Sequence, residues 1–443
     1  MREVKINFLE NVGKIKPMHA VNNGPVYKFA SDQRVTNIEA YQAAGIPYAR
    51  NHDASFLSTY GGEHIVDVNF IFTDFSKDPE DPASYDFDLT DEYIKVTEFG
   101  GAKTFYRLGS KIEHWSKKYN TLPPADFKKW AVICEHIIRH YTEGWADGFH
   151  YDIEYWEIWN EPDLDTDDSP HKRSWGGTEK EFFELYDVAA THLKKCFPNL
   201  KIGGPALAHN IEWAERFLAQ LKAPLDFFSW HIYASEPDKI TKKIRAIREL
   251  LDKYGFTDTE SILNEWNYVK GWIGDDWIYT LREEISMKGA AFIAATQSEA
   301  QREAVDMLMY YDARPCHMNG MFGPLPCDIR KGYYPFYAFN VLYKLGESYK
   351  TEDGNEMYAV AAKNGNEAAI IVTRFTDDDE AETDKCIINI EGLGKKTEAE
   401  VYLLDEDHNL ELVRTEMFTG EKFGQVLNFD RKTMYLIKFN LFD

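Results

Sequence analysis

Short apolar runs of four to eight residues alternate with longer stretches in which apolar positions recur every third or fourth residue. The short runs read as strands and the long ones as helices. The strand candidates are "MHAVNN" (18–23), "IPYARN" (46–51), "KTFYRLG" (103–109), "IEYWEIW" (153–159), "KIGG" (201–204), "DFFSWHIY" (226–233), "SILNEW" (261–266) and "VDMLMYY" (305–311). Between and after them lie helical patterns. In 126–144, Trp130, Ile133, Cys134, Ile137, Ile138 and Tyr141 fall on one helical face, and 179–197, 211–221, 239–255 and 335–346 repeat the pattern. Eight strand–helix alternations predict an α/β fold, a parallel sheet closed as a (β/α)8 TIM barrel over 14–346. An open doubly wound sheet is the alternative, but no GxGxxG follows an early strand, so a nucleotide site there is unsupported.

After about residue 346 the texture changes. "MYAVAAK", "EAAIIVTRF", "KCIINIEG", "EAEVYLLDE" and "TMYLIKFN" are short strands separated by charged or glycine-containing turns, which predict an accessory antiparallel β-sandwich. The opening "REVKINF" is also strand-like and is expected to join it, giving a discontinuous domain of 1–13 plus 347–443.

Composition narrows the function. The chain has 443 residues, 44% hydrophobic and 15% aromatic, which is enough for a large core and suits stacking on sugar rings. Fifty Lys and Arg against 74 Asp and Glu leave a net charge of −24, which argues against nucleic acid or an anionic membrane as partner. The five cysteines (134, 196, 316, 327, 386) are scattered and lack CxxC spacing, so reduced thiols are expected rather than a disulfide framework or zinc site. The N-terminal "MREVKINFLE" has no apolar h-region, and no apolar run approaches the ~18–20 residues that span a bilayer. A cytoplasmic protein is the expectation.

In a barrel, active-site groups project from the C-terminal strand ends. Here those ends carry Asn22-Asn23, Arg50-Asn51-His52-Asp53, Tyr106-Arg107, Asn160-Glu161-Pro162, His231-Ile232-Tyr233, Asn264-Glu265-Trp266-Asn267 and Tyr310-Tyr311-Asp312-Ala313-Arg314. Each alone has a bland reading as a helix cap or loop ion pair, whereas their convergence on one rim points to a site. In "WEIWNEPD" (156–163), Glu161 stands where the fourth strand ends and Pro162 terminates it. Glu265 occupies the equivalent end of the seventh strand, 104 residues later (265 − 161). Two carboxylates across one barrel mouth are the equipment of glycosidic bond cleavage, one protonated and one ionised. The alternative is a pair of surface glutamates at strand ends.

"WEIWNEPD" followed by "ILNEWN" resembles clan A of the retaining glycoside hydrolases. "HAVNNGP", the Arg-x-His of "YARNHD", "SWHIYA" and "DARP" narrow the resemblance to glycoside hydrolase family 39, the family of β-xylosidases and α-L-iduronidases. The resemblance covers the barrel and the trailing sandwich. It implies that Glu161 is the acid/base and Glu265 the nucleophile. It implies that Asn160 bonds the sugar 2-hydroxyl, and that His231 and Tyr233 line the −1 subsite. Arg50 would hold the nucleophile ionised, and His52 would bond a ring hydroxyl. His231 also has a plain reading as a satisfied core histidine. Trp272 and Trp277 either form a sugar platform or pack their loop. Arg314 is a candidate partner for a substrate carboxylate, and a loop pairing with Asp312 explains it equally well.

The function expected is a retaining exo-glycosidase, β-xylosidase-like, acting on plant-polysaccharide oligosaccharides without metal or cofactor. Other glycones (glucose, galactose, arabinose, iduronate) are alternatives, as is a catalytically silent carbohydrate-binding protein. A metal-dependent barrel hydrolase is disfavoured, because "WHIYA" offers one histidine and no partner two residues on. Oligomeric state is not readable from the sequence.

Overall fold

A computed structural model describes residues 1–27, 36–53, 64–315, 320–324, 328–394, 396–430 and 432–442. The chain opens with β1 (Arg2–Lys14). Eight parallel strands then close a barrel: β2 (Ala20–Asn22), β3 (Tyr48–Arg50), β4 (Lys103–Leu108), β5 (Tyr155–Ile158), β6 (Lys201–Leu207), β7 (Phe227–Ala234), β8 (Glu260–Tyr268) and β9 (Met307–Tyr310). They stand in chain order round the ring, and β9 pairs back to β2 through Ala20–Met309 and Val21–Tyr310. All eight expected barrel strands are present.

The outer helices include α1 (Ile38–Ala44), α2 (Val68–Ile71), α3 (Asp88–Phe99), α4 (Phe127–Thr142), α5 (Glu179–Cys196), α6 (Ile211–Gln220), α7 (Pro237–Lys253), α8 (Gly274–Glu283), α9 (Met287–Arg302) and α10 (Tyr333–Leu345). Their ends follow local chemistry. Asp126 caps α4 by accepting from the Lys128 and Lys129 amides, and Thr178 with Glu181 forms a capping box on α5. Alternation along the strands sorts side chains by face. Ala20, Phe105, Tyr155, Phe227, Ile262, Met307 and Met309 fill the barrel interior, while the intervening Tyr106, Trp156, Ile158 and Trp230 pack outward against the helices.

The second unit is a nine-stranded sheet built from β1, β10 (Glu347–Glu352), β11 (Met357–Asn364), β12 (Glu367–Phe375), β13 (Asp384–Glu391), β14 (Lys396–Leu404), β15 (Asn409–Thr419), β16 (Lys422–Phe429) and β17 (Lys432–Phe442). Its pairings are antiparallel except β1 with β13. The sheet rolls until its halves face each other over a common core that includes Val4, Ile6, Ile370, Ile388, Ile437 and Phe439. Phe439 of β17 meets both Phe8 of β1 and Phe423 of β16. The outer face of β11, β12 and β17 rests on α9 and α10, and Val360, Ile371 and Leu436 are continuous there with the barrel core.

Candidate active site

The strand carrying the first glutamate alternates inward Tyr155 and Glu157 with outward Trp156 and Ile158. Pairing stops at Ile158, four residues before Pro162, because Trp159 turns to φ 74°. That left-handed turn, repeated at Glu161 (φ 49°), swings the chain off the barrel wall. The Trp159 amide donates to Leu108 of β4 and the Glu161 amide to Ala206 of β6, so both neighbouring strands pin the turn. Glu161 is thereby presented at the mouth, 7% exposed.

Opposite, β8 carries one extra residue against β7. Trp230 pairs with Leu263 and His231 with Glu265, so Asn264 is inserted between them. The bulge lets consecutive residues, Asn264 and Glu265, both face the barrel lumen, which regular alternation forbids.

Arg50, at the end of β3, ties these elements together. Its Nε donates to Glu157 Oε2 at 2.7 Å, Nη1 to Glu265 Oε1 at 2.9 Å and Asn22 Oδ1 at 3.1 Å, and Nη2 to Asn160 Oδ1 at 2.7 Å. Asn264 Nδ2 donates to the other Glu157 oxygen at 2.5 Å. Arg50 and Glu157 are fully buried, a placement tolerable only because charges and hydrogen bonds are matched. Since the Asn160 oxygen accepts from Arg50, its Nδ2 is turned away, and that buried nitrogen has no partner among the described residues.

His231 bridges the two glutamates: Nδ1 lies 2.7 Å from Glu161 Oε1 and 3.5 Å from Glu265 Oε2. One oxygen of each glutamate and this nitrogen all lie within 4.8 Å of one another. The Tyr233 hydroxyl donates to Glu265 Oε2 at 2.9 Å, and His52 Nε2 stands 3.7 Å from Glu265 Oε1. Burial, reinforced by the Asp163 charge, pushes the Glu161 carboxyl up to about 8. Burial also raises Glu265, but the Arg50 charge and the Tyr233 hydroxyl act against that rise. Burial lowers His231 to about 4, so its ring is neutral at neutral pH.

Of these groups, His52, Glu161, His231, Tyr233 and Glu265 line a cavity of about 840 Å³, with Arg50 and Asn160 behind its wall. Trp272 is on its wall, 53% exposed, packed edge-on against Tyr233 at 5.1 Å. Trp277 does not line the cavity; it stacks behind Trp272 at 5.4 Å. Arg314 also reaches the cavity, with Nε donating to Asp312 Oδ2 at 2.8 Å and Nη2 3.5 Å from Asp53. Arg50, His52, Asn160, Glu161, His231, Tyr233 and Glu265 therefore converge directly, whereas Trp272 and Arg314 form wall and Trp277 backs it.

Sequence reasoning missed Glu157, although its inward place in the strand period was the available signal. It also missed Lys111, Arg173, His209 and Lys243, which line the cavity from loops and a helix that carry no strand-end motif. Asp163, beyond the Asn-Glu-Pro turn, accepts from the Ala208, His209 and Asn210 amides and so fixes the loop after β6. Glu161, His231 and Glu265 have spacing that could hold a metal ion. At Glu265 both oxygens are already held by groups outside the trio, Oε1 by Arg50 and Oε2 by the Tyr233 hydroxyl.

The chain is similar to known proteins in sequence and in fold. The model of glycosyl hydrolases family 39 matches residues 33–268. A β-xylosidase from Geobacillus stearothermophilus is 27% identical over 324 residues, which cover 64% of this chain. The chain matches 60% of the length of that relative. Among solved structures, a glucosidase from Croceicoccus marinus superposes with TM-score 0.80 at 23% identity, covering 100% of this chain and 99% of that one. A monomeric β-xylosidase from Caulobacter crescentus CB15 superposes with TM-score 0.73 at 16% identity, covering 100% of both chains.

Proposed function

The chain belongs to family 39 of the glycosyl hydrolases, and from that premise we propose that it is a retaining exo-glycosidase, β-xylosidase-like, with Glu161 as acid/base and Glu265 as nucleophile. The observation that carries this reading is the approach of the two carboxylates to within 4.8 Å across His231. Retaining enzymes hold their carboxyl groups ~5–5.5 Å apart, whereas inverting ones leave ~6.5–9.5 Å for a water.

The environments separate the roles. Glu161, raised to about 8, keeps its proton at neutral pH and gives it to the glycosidic oxygen as the bond breaks. Glu265, braced by Arg50 and Tyr233, attacks the anomeric carbon and forms a glycosyl-enzyme. Glu161, now ionised, takes a proton from water, which attacks the same carbon and releases the sugar. Asn160 Nδ2, oriented by Arg50, is the donor for the sugar 2-hydroxyl. His52 is placed for another ring hydroxyl. A cavity of about 840 Å³ lies in the range of roughly 300–1,000 Å³ that suits a small ligand, which supports exo action on short glycosides.

The β-xylosidase name of the relative supports xylose as glycone. The iduronide reading gains nothing from Arg314, whose guanidinium is paired with Asp312 and Asp53. A silent binding protein would have no need of two buried carboxylates brought together across a histidine. Turnover of an aryl glycoside panel (xyloside, glucoside, galactoside, arabinoside, iduronide), with the anomeric configuration of the first product read by NMR, tests the proposal. Hydrolysis of the xyloside with retained configuration is expected; an inverted product overturns the mechanism, and no turnover of any member overturns the activity.

A further inference from the structure

Away from the barrel mouth, α4 and α5 lie side by side, and their facing surfaces carry a histidine, a cysteine and a carboxylate that the proposed catalysis does not use. His192 and Cys196 stand four residues apart on α5, so both project from one side of that helix. Glu135 faces them from α4. His192 Nε2 lies 2.6 Å from Glu135 Oε2 and 3.8 Å from Cys196 Sγ, and one donor atom of each residue lies within 4.8 Å of the other two.

We propose that Glu135, His192 and Cys196 form a zinc site that staples α4 to α5. Thiolate, imidazole and carboxylate are the ligand types that zinc takes, at about 2.3, 2.0 and 2.0–2.2 Å, with water completing a tetrahedron. Such bond lengths leave ligand atoms roughly 3.3–3.8 Å apart. The nitrogen–sulfur separation already suits that geometry. The nitrogen–oxygen pair, now at hydrogen-bond distance, opens as the ion takes the place of the proton between them. A set containing sulfur and nitrogen selects zinc or a similar borderline ion over magnesium or calcium.

The surroundings meet the remaining requirements of a metal site. Arg139 donates to Glu135 Oε1 from Nε at 2.9 Å and reaches it from Nη2 at 2.8 Å, which orients the carboxylate and leaves Oε2 for the ion. His192 is 31% exposed and lines a groove of about 800 Å³ between the two helices, which provides an entry path and room for the water ligand. Cys196 is the last residue of α5, just before β6 begins. The cluster therefore sits at the end of the barrel opposite the strand ends that carry Glu161 and Glu265, where residues serve stability rather than chemistry. Binding balances simply: the Cys196 thiol loses its proton to solvent, the His192 proton moves to Nδ1, and Nε2, Sγ and Oε2 coordinate.

The test is titration of the reduced full-length protein with zinc and with cobalt(II). One equivalent should bind, with release of one proton, a thiolate-to-cobalt charge-transfer band, tetrahedral visible bands and a melting temperature that rises with zinc concentration. Cys196→Ser should abolish the charge-transfer band. His192→Ala should weaken zinc by more than the roughly 10–100-fold that loss of an outer partner costs. Both variants should keep full glycosidase turnover, because neither residue is near the cavity. A cobalt spectrum without the thiolate band in the unsubstituted protein overturns the proposal without recourse to any variant. So does a Cys196→Ser protein whose melting temperature responds to zinc as the unsubstituted protein does.

Discussion

Arg50 and Glu157 meet inside the barrel, Nε to Oε2 at 2.7 Å, with neither side chain exposed to solvent. The same guanidinium holds Glu265 Oε1 and Asn160 Oδ1. Glu157 thus acts on the site through Arg50 and is a positioning residue. In Glu157→Gln the guanidinium loses one of its two neutralising charges, so its field on Glu265 strengthens and the nucleophile ionises more readily. The acidic limb of the kcat/KM profile should move to lower pH. The weaker hold on geometry should lower kcat by about 100-fold. An unchanged pH profile would show that Glu157 serves only the fold. Glu157→Ala, which leaves the buried Arg50 with Glu265 as its one carboxylate and breaks the buried pair, should cost about 3–5 kcal/mol of stability in denaturant unfolding.

The two glutamates should fail differently. Glu265→Ala leaves nothing to attack the anomeric carbon and should form no glycosyl-enzyme. Glu161→Ala should lose about 10²–10⁴-fold on substrates with poor leaving groups and much less in the first step on activated aryl glycosides. Its second step lacks a base, so the intermediate should accumulate, and azide should restore turnover with retained configuration. Mass spectrometry should find the trapped sugar on the peptide containing Glu265; a sugar on the Glu161 peptide would reverse the assignment.

Because the Glu161 carboxyl is raised to about 8, activity should fall as pH rises through that value and the acid loses its proton. In Glu161→Gln this alkaline limb should disappear from whatever activity remains. Stability follows the same sign. The folded state holds the proton more tightly than the unfolded chain, where a glutamate titrates near about 4.3. The contribution is fully present below that pH and declines as pH rises to about 8. Chemical unfolding of the parent across pH 4–8 should show this decline, and Glu161→Gln should remove that part of it.

The tryptophan pair makes a separable prediction. Trp272 forms cavity wall, whereas Trp277, among the described residues, reaches the site by stacking on Trp272. Trp272→Ala should raise KM about tenfold, equivalent to ~1.4 kcal/mol, with kcat little changed. Trp277→Ala should raise KM less. Equal effects would mean that the pair merely packs its loop.

Several features of the fold resisted reading for identifiable reasons. α9 lies between the barrel and the sheet and is buried almost all round, so no polar face marks its period. β15 is an edge strand, exposed along most of its length, and shows little alternation. The bulge at Asn264 has no signature in "SILNEW", since it is defined by β7 alongside. Cys134, Cys196 and Cys386 are free thiols; Cys316 and Cys327 lie outside the described residues.

The sequence by itself determined what local rules govern. Apolar periodicity marked eight strands and the main helices between them. Polar residues clustered just past the strands, and strand ends in a closed barrel face one mouth, so Glu161 and Glu265 could be paired without coordinates, although the fourth strand ends at Ile158 rather than at Pro162. Tertiary structure alone decided which polar atoms meet. Arg50 and Glu265 are 215 residues apart, and Arg50 and Glu157 are 107 apart. Those contacts exist because ring closure brings β3, β5 and β8 around one lumen, where a buried charge is tolerable only beside its partner. No periodicity within a strand encodes which partner that is.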